Sequence, residues 1–241
     1  MDKLVSRLLE ENFVRTVEPI SPEKPLVIHG VAGCGKTRLL EQLAETVPDL
    51  HVFTTQTSQG QTLSGRRITS LPPDFVPVPG NLYFLDEYIG TAGLERFNAL
   101  FADPLQYNSE PCLAHFVKPV SHRFGKLTAE LISTRLKIPV SSDRSDVLIT
   151  EDIWRHVNVG QAITLEDDVH QLLSSQGLSH IRAADARGLT FDQVSLYTKS
   201  PYFEEVEQHL AYIGLTRHRY KLYIVCPDHS DYPHATSSNS S

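Results

Sequence analysis

Cysteine is scarce in this chain. Cys34, Cys112 and Cys226 are odd in number and irregularly spaced, which argues against a disulfide framework and fits a reducing compartment. No CxxC pair occurs, and the eleven histidines show no metal-ligand spacing, so no structural zinc is expected. No apolar run reaches the roughly 18 residues of a membrane-spanning helix. The opening "MDKLVSRLLEENF" carries acids and lacks a long apolar core, so it does not read as a signal peptide. Positive charge is also in deficit. With a formal net charge of −7, any nucleic-acid site has to be a local groove rather than a basic surface.

What is present is enough for one large domain or two small ones: 241 residues, 40% hydrophobic and 21% charged. Strand-like and helix-like stretches alternate. Leu26 to His29 reads as a short buried strand. "KTRLLEQLAETV" reads as a helix with Leu39, Leu40, Leu43 and Val47 on one face. "LHVFTT" and "LYFLDEY" read as strands, "TAGLERFNALF" as a helix with Leu94, Phe97 and Phe101 on one face, and "PCLAHFV" as another strand. "LPPDFVPVPGN" is too rich in proline for a helix or a central strand. The second half repeats the rhythm with "LTAELISTRL", "DVLIT", "TLEDDVHQLLSSQG", "DQVSLYT", "EEVEQHLAYIG" and "KLYIVC". The third of these is expected to be a helix capped by Thr164, with Gly177 past its end. This alternation implies α/β architecture with parallel sheets covered on both faces. A boundary falls between residues 117 and 126, and the tail "HATSSNSS" is expected to be disordered. In the first 24 residues Leu4, Leu8 and Leu9 make a narrow apolar face, read as packing on the first domain or as a self-association surface.

"GVAGCGKT", Gly30 to Thr37, matches GxxxxGK(S/T) between a strand and a helix, the context that phosphate-binding loop needs. Gly30, Gly33 and Gly35 let backbone N–H groups curl around phosphates. Lys36 can reach the terminal phosphates, and the Thr37 hydroxyl can hold Mg²⁺. "LYFLDEY" supplies Asp86 at a strand end as a second metal contact. Its neighbour Glu87 is placed to activate an attacking water. No NKxD guanine-reading element occurs. A small-molecule kinase stays open, but it leaves the second half unexplained.

The remaining stretches resemble, in order, the motif series of superfamily 1 helicases of the alphavirus-like RNA virus group. "FTTQTSQGQT" is similar to a strand-contacting motif. "FADPLQY" resembles the motif in which Gln106 senses the γ-phosphate, and "SHRFG" the one that directs Arg123 at phosphates. "AADARGLTFDQVSLY" is similar to the motif that places Gly188 and Thr190 between nucleic acid and nucleotide. "LTRHRYKLYIV" resembles the motif with Arg217 as finger and Arg219 beside it. The variants "GVAGCGKT", "DEYIG", "ADPLQY" and "LTRHR" resemble most closely the first proteins of the triple gene block of plant potexviruses and their relatives.

The resemblance implies two RecA-like parallel-sheet domains with P-loop NTPase architecture, residues 25–118 and 119–230, between an N-terminal extension (1–24) and a tail (231–241). It also implies an ATP- and Mg²⁺-using RNA helicase acting as a cell-to-cell movement protein and suppressor of RNA silencing. The implied partners are single-stranded viral RNA, viral coat protein, other movement proteins and further copies of itself. The implied location is the host cell cytoplasm, with plasmodesmata and nucleus as further compartments. Thr54, Thr55, Gln56, Arg66, Arg67 and Thr190 are the expected RNA contacts, polar groups suited to sequence-tolerant phosphate binding. An assembly module that uses ATPase only as a conformational switch is the alternative.

Overall fold

The computed structural model describes residues 1–56 and 68–227. The chain divides between Pro119 and Val120 into two units.

In the first unit, helix α1 (Asp2–Glu10) precedes strand β1 (Val14–Arg15). Leu4 and Leu8 of α1 are buried and Leu9 is exposed, and Arg7 hydrogen-bonds Gln42 at 3.0 Å. Strand β2 (Leu26–Gly30) leads into helix α2 (Lys36–Thr46). Strands β3 (Leu50–Thr54), β4 (Thr69–Ser70), β5 (Leu82–Asp86), β6 (Ala99–Ala102) and β7 (Phe116–Lys118) complete a sheet of order β1-β7-β2-β6-β5-β3-β4. Every pairing is parallel except β1 with β7.

Residues 91–101 do not form the helix that the sequence pattern suggests. Gly93 turns the chain with φ +71, a single 3₁₀ turn spans Leu94–Arg96, and the chain then enters β6. Ala99, Leu100, Phe101 and Ala102 are all fully buried between β2 and β5. A strand enclosed on both faces reads as a continuous apolar run, so helical spacing of Leu94, Phe97 and Phe101 was a coincidence of that run.

The second unit contains β8 (Val120–Ser121) paired with β9 (Ser141–Ser142). Helix α3 (Lys126–Leu131), continued by a wider π turn over Ile132–Leu136, lies between them in sequence. Strands β10 (Val147–Asp152), β11 (Gln161–Thr164), β12 (Ile181–Arg182), β13 (Phe191–Tyr197) and β14 (His218–Cys226) form an all-parallel sheet of order β10-β14-β13-β11-β12. The residue before helix α4 (Asp167–Ser175) is Glu166, whose side chain makes no capping bond, and not Thr164, which belongs to β11. Gly177 follows it with φ +70. Helix α5 (Gln208–Leu215) starts four residues later than the sequence pattern suggests, and β14 starts three residues earlier than "KLYIVC".

The step from β10 to β11 crosses two strands without a helix. Residues 153–160 manage it because His156 is buried beneath them. Its ring bonds Glu151 at 2.6 Å and Ser195 at 2.9 Å, and the Ser195 hydroxyl in turn donates to the Val159 carbonyl at 2.8 Å. That clasp replaces the usual crossover helix. No helix among the described residues is long and apolar enough to cross a membrane.

Candidate nucleotide site

In a parallel sheet, loops leaving the carboxyl ends of adjacent strands share one edge, and ligands bind there. In the first unit that edge carries four of the expected segments. The segment Gly30 to Thr37 runs from the end of β2 through the loop into the first turn of α2, and the turn after β6 holds Asp103 to Gln106. β5 ends in Asp86 and β3 in Thr54. The sheet order β2-β6-β5-β3 makes them neighbours, which chain order alone would not.

Gly33 and Gly35 have φ of +75 and +102, and Gly35 is the residue before α2. That left-handed backbone is what lets the loop wrap. Gly30 leaves no space for a side chain, because Cys34 Sγ occupies it. Lys36 is buried, and its ammonium donates to the Gly30 carbonyl at 2.6 Å. Burial opposes its charge, but the field of Cys34, Asp103, Glu87 and Asp86 more than offsets that, and its pKa is raised. Burial pushes the Cys34 thiol up. His29, behind the loop, is lowered to about 4 by burial and by Lys36, and bonds the Tyr88 hydroxyl at 2.8 Å. Thr37 is half-buried.

Asp86 is buried, and its carboxyl is raised to about 7. Desolvation is the main cause and the neighbouring Glu87 adds to it, while Lys36 and the Glu87 N–H oppose. Glu87 sits in left-handed backbone, φ +57, unusual for a side-chain-bearing residue and characteristic of functional turns. Hydrogen bonds hold it. Its N–H donates to Asp86 Oδ1 at 3.2 Å, its carbonyl accepts from Thr55 Oγ1 at 2.6 Å, and its carboxylate accepts from Tyr107 Oη at 2.8 Å. Gln106 is buried and its amide donates to Asp103 Oδ2 at 2.8 Å. Thr54 is buried too, its hydroxyl accepting the Gln56 N–H at 3.2 Å, while Thr55 is exposed. Arg66 and Arg67 lie outside the described residues, as does the tail.

Two carboxylates, a hydroxyl and a buried ammonium on one edge suit a metal–phosphate ligand. A buried acid at pKa about 7 beside a second acid is an unfavourable concentration of negative charge that a cation relieves. Mg²⁺ is commonly held by one or two carboxylates together with substrate phosphates. Asp86 and Thr37 fit that donor set.

In the second unit the expected residues gather at the opposite, amino edge of the sheet. Gly188, with φ +78, and half-buried Thr190 precede β13, and Arg217 precedes β14. Arg217 is 1% exposed. Its guanidinium donates to the carbonyls of Ile213 at 3.1 Å and of Ala186 and Leu189 at 3.4 Å, and to Thr216 Oγ1 at 2.8 Å. Its own carbonyl accepts the Phe191 N–H at 2.8 Å, so the Gly188–Thr190 loop and Arg217 are tied together. Arg219 is exposed and pairs with Asp192 at 3.3 Å. Arg123 is half-buried in the turn after β8, its N–H bonded to Ser121 Oγ at 3.1 Å.

Sequence reasoning missed Asp103 and Tyr107, which stand beside or near Gln106 in "ADPLQY", and His218, which follows Arg217. Their positions within the motifs were the available signal. It also missed Asp146, which has none.

Residues 26–226 match the family model described as "Viral superfamily 1 RNA helicase core domain". The movement and silencing protein TGBp1 of Papaya mosaic potexvirus is 33% identical over 239 residues, covering 98% of this chain and 99% of that protein. Among solved structures, the PRRSV helicase superimposes with a TM-score of 0.63 at 17% identity, over 98% of this chain and 57% of that one. Arterivirus nonstructural protein 10 (helicase) in complex with DNA gives a TM-score of 0.51 at 17% identity, over 93% of this chain and 56% of that one. This chain therefore spans little more than half the length of those helicases.

Proposed function

The chain belongs to the viral superfamily 1 RNA helicase family, and from that premise we propose that it hydrolyses ATP with Mg²⁺ and couples hydrolysis to movement on single-stranded RNA. The observation that carries this reading is the carboxyl edge of the first sheet, where Lys36, Asp86, Glu87 and Gln106 follow adjacent strands. Phosphates would take the Lys36 ammonium from the Gly30 carbonyl, and Thr37 and Asp86 would hold the metal. Glu87, set by Tyr107 and Thr55, would take the proton of the attacking water, and Gln106, set by Asp103, would report the γ-phosphate. The bound metal supplies charge neutralisation at the phosphates.

Arg217, Arg123, Gly188 and Arg219 form the second half of the site in this reading, with residues 25–118 and 119–230 as two RecA-like domains. Arg217 is bonded to its own unit's carbonyls, so acting as a finger requires that nucleotide draw it out. That makes Arg217 a reporter of closure rather than a fixed charge. The RNA contacts expected from the sequence, Thr54, Thr55, Gln56, Arg66, Arg67 and Thr190, are the groups this reading assigns to RNA. The name of the potexvirus relative, "Movement and silencing protein TGBp1", adds movement and silencing to the reading; we further take these as movement between host cells and suppression of silencing, with viral RNA, coat protein and other movement proteins as partners in the host cytoplasm.

The deciding experiment measures ATP hydrolysis with and without single-stranded RNA, alongside strand displacement, for the wild type and Lys36→Ala. RNA-stimulated turnover that Lys36→Ala abolishes supports the reading, and near-normal turnover in that variant overturns it. The carbonyl-bound state of Arg217 favours one second reading, a nucleotide switch on an RNA- and coat-protein-binding module. Stimulated hydrolysis without strand displacement is its signature.

A further inference from the structure

Asp146 is a wholly buried carboxylate outside every motif assigned above. Its Oδ2 accepts the N–H groups of Gly125 at 3.0 Å and Thr128 at 3.3 Å, and its Oδ1 accepts that of Leu127 at 3.0 Å. It thus closes the first turn of α3, immediately after the turn that carries Arg123. Gly125 has no room for a side chain because Asp146 presses against it. The same Oδ2 meets His218 Nε2 at 3.3 Å, and that nitrogen also lies 3.2 Å from Thr128 Oγ1. His218 is itself wholly buried, and its Nδ1 has no partner among the described residues, which leaves Nε2 as the atom that engages Asp146 and Thr128. Hydrogen bonds from His218 and Thr128, together with the N–H groups, outweigh burial and hold the carboxyl below its usual range.

His218 is the residue after Arg217. Asp146 therefore bonds, on one side, the start of the helix that follows Arg123, and on the other the residue that follows Arg217. Ser142 adds a further strut, donating to the Phe124 carbonyl at 2.8 Å, and Arg144 donates to the His122 carbonyl at 2.7 Å. A buried carboxylate costs several kcal/mol unless its lone pairs are used. Here four donors use them, and all four come from the two arginine-bearing segments or the helix between them.

We propose that Asp146 and His218 are a positioning pair that holds the Arg123 and Arg217 segments at a set separation for phosphoryl transfer. The inference rests on the reading of Arg217 as a group that acts on nucleotide. Neither residue touches substrate, so their removal displaces the arginines without removing any charge from the site. Displacements of about 1 Å in such groups cost up to about a hundredfold in rate.

The test is steady-state ATPase with His218→Ala, His218→Gln and Asp146→Asn, each also in an Arg217→Ala background, with thermal unfolding of each variant. His218→Ala leaves the three backbone N–H bonds of Asp146 in place and is expected to fold. It should lower kcat by about ten- to a hundredfold with KM changed less than about twofold. His218→Gln, whose amide nitrogen reaches the place of Nε2, should recover most of that loss. In the Arg217→Ala background the loss from His218→Ala should shrink to the part that acts through Arg123. Asp146→Asn should behave as His218→Ala where it folds, and where it unfolds the histidine pair carries the test. Unchanged kcat in His218→Ala, no rescue by glutamine, or an equal loss with and without Arg217 would each overturn the proposal. Absence of turnover in the wild type would instead sink the reading of the site.

Discussion

Replacing Asp86 by asparagine removes a charge that the protein is badly placed to hold. The carboxyl moves from 3.8 to about 7 because it is buried and stands beside Glu87. At about 1.4 kcal/mol per pH unit, that displacement is worth up to about 4 kcal/mol against the ionised form. The folded-state pKa is raised, so the folded chain binds more protons than the unfolded chain between pH 3.8 and about 7. Stability from this group is therefore complete below pH 3.8, declines as pH rises, and is lost above about 7. Asparagine is neutral throughout, and its carbonyl can still accept the Glu87 N–H. Relative to wild type, Asp86→Asn should thus gain more at pH 8 than at pH 5, by roughly 2 to 3 kcal/mol. Urea unfolding of both proteins at the two pH values, in chelator and without nucleotide, measures the difference, and titrating groups that do not interact with Asp86 cancel in the comparison. The same variant should lose Mg²⁺-dependent turnover, which separates stability from function. An equal stability difference at pH 5 and pH 8 would refute the reasoning, since it would mean that Asp86 carries no unfavourable charge.

Three further outcomes follow from single contacts. Arg217→Ala should keep ADP affinity and lose about 10³-fold or more in kcat; loss of binding with kcat intact would make it a binding group. Tyr107→Phe deletes the bond to Glu87, and a hydrogen bond to a charged group is worth about 1.5 to 3 kcal/mol. Its kcat should fall about tenfold or more, and the loss should disappear in a Glu87→Gln background. Gly160→Ala places a Cβ against the Gln193 carbonyl at φ +70. Left-handed strain and the clash together should cost about 2 to 4 kcal/mol in urea unfolding, with hydrolysis at low temperature retained.

The glycine loop between β2 and α2 was legible because it is local. Glycine spacing, the lysine and the flanking strand and helix all lie within one short segment, so the loop's shape follows from residue order. Membership of the helicase family was legible for a related reason, since its motifs recur in a set sequence. Residues 91–101 were misread because an apolar run enclosed on both faces carries no period, and only the neighbouring strands decide that Ala99–Ala102 is extended. The Thr164 cap failed because β11 claimed that residue's backbone for the sheet.

By itself, then, the sequence determined membership of the helicase family, through motifs whose residue types and order are local. Tertiary structure alone decided which groups hold the reacting ones in place. Strand order brings Tyr107 to Glu87, and burial welds Asp146 to His218 across 72 positions of chain. Such contacts join residues distant in sequence through the folding of parallel sheets, so nothing in their local neighbourhood announces them.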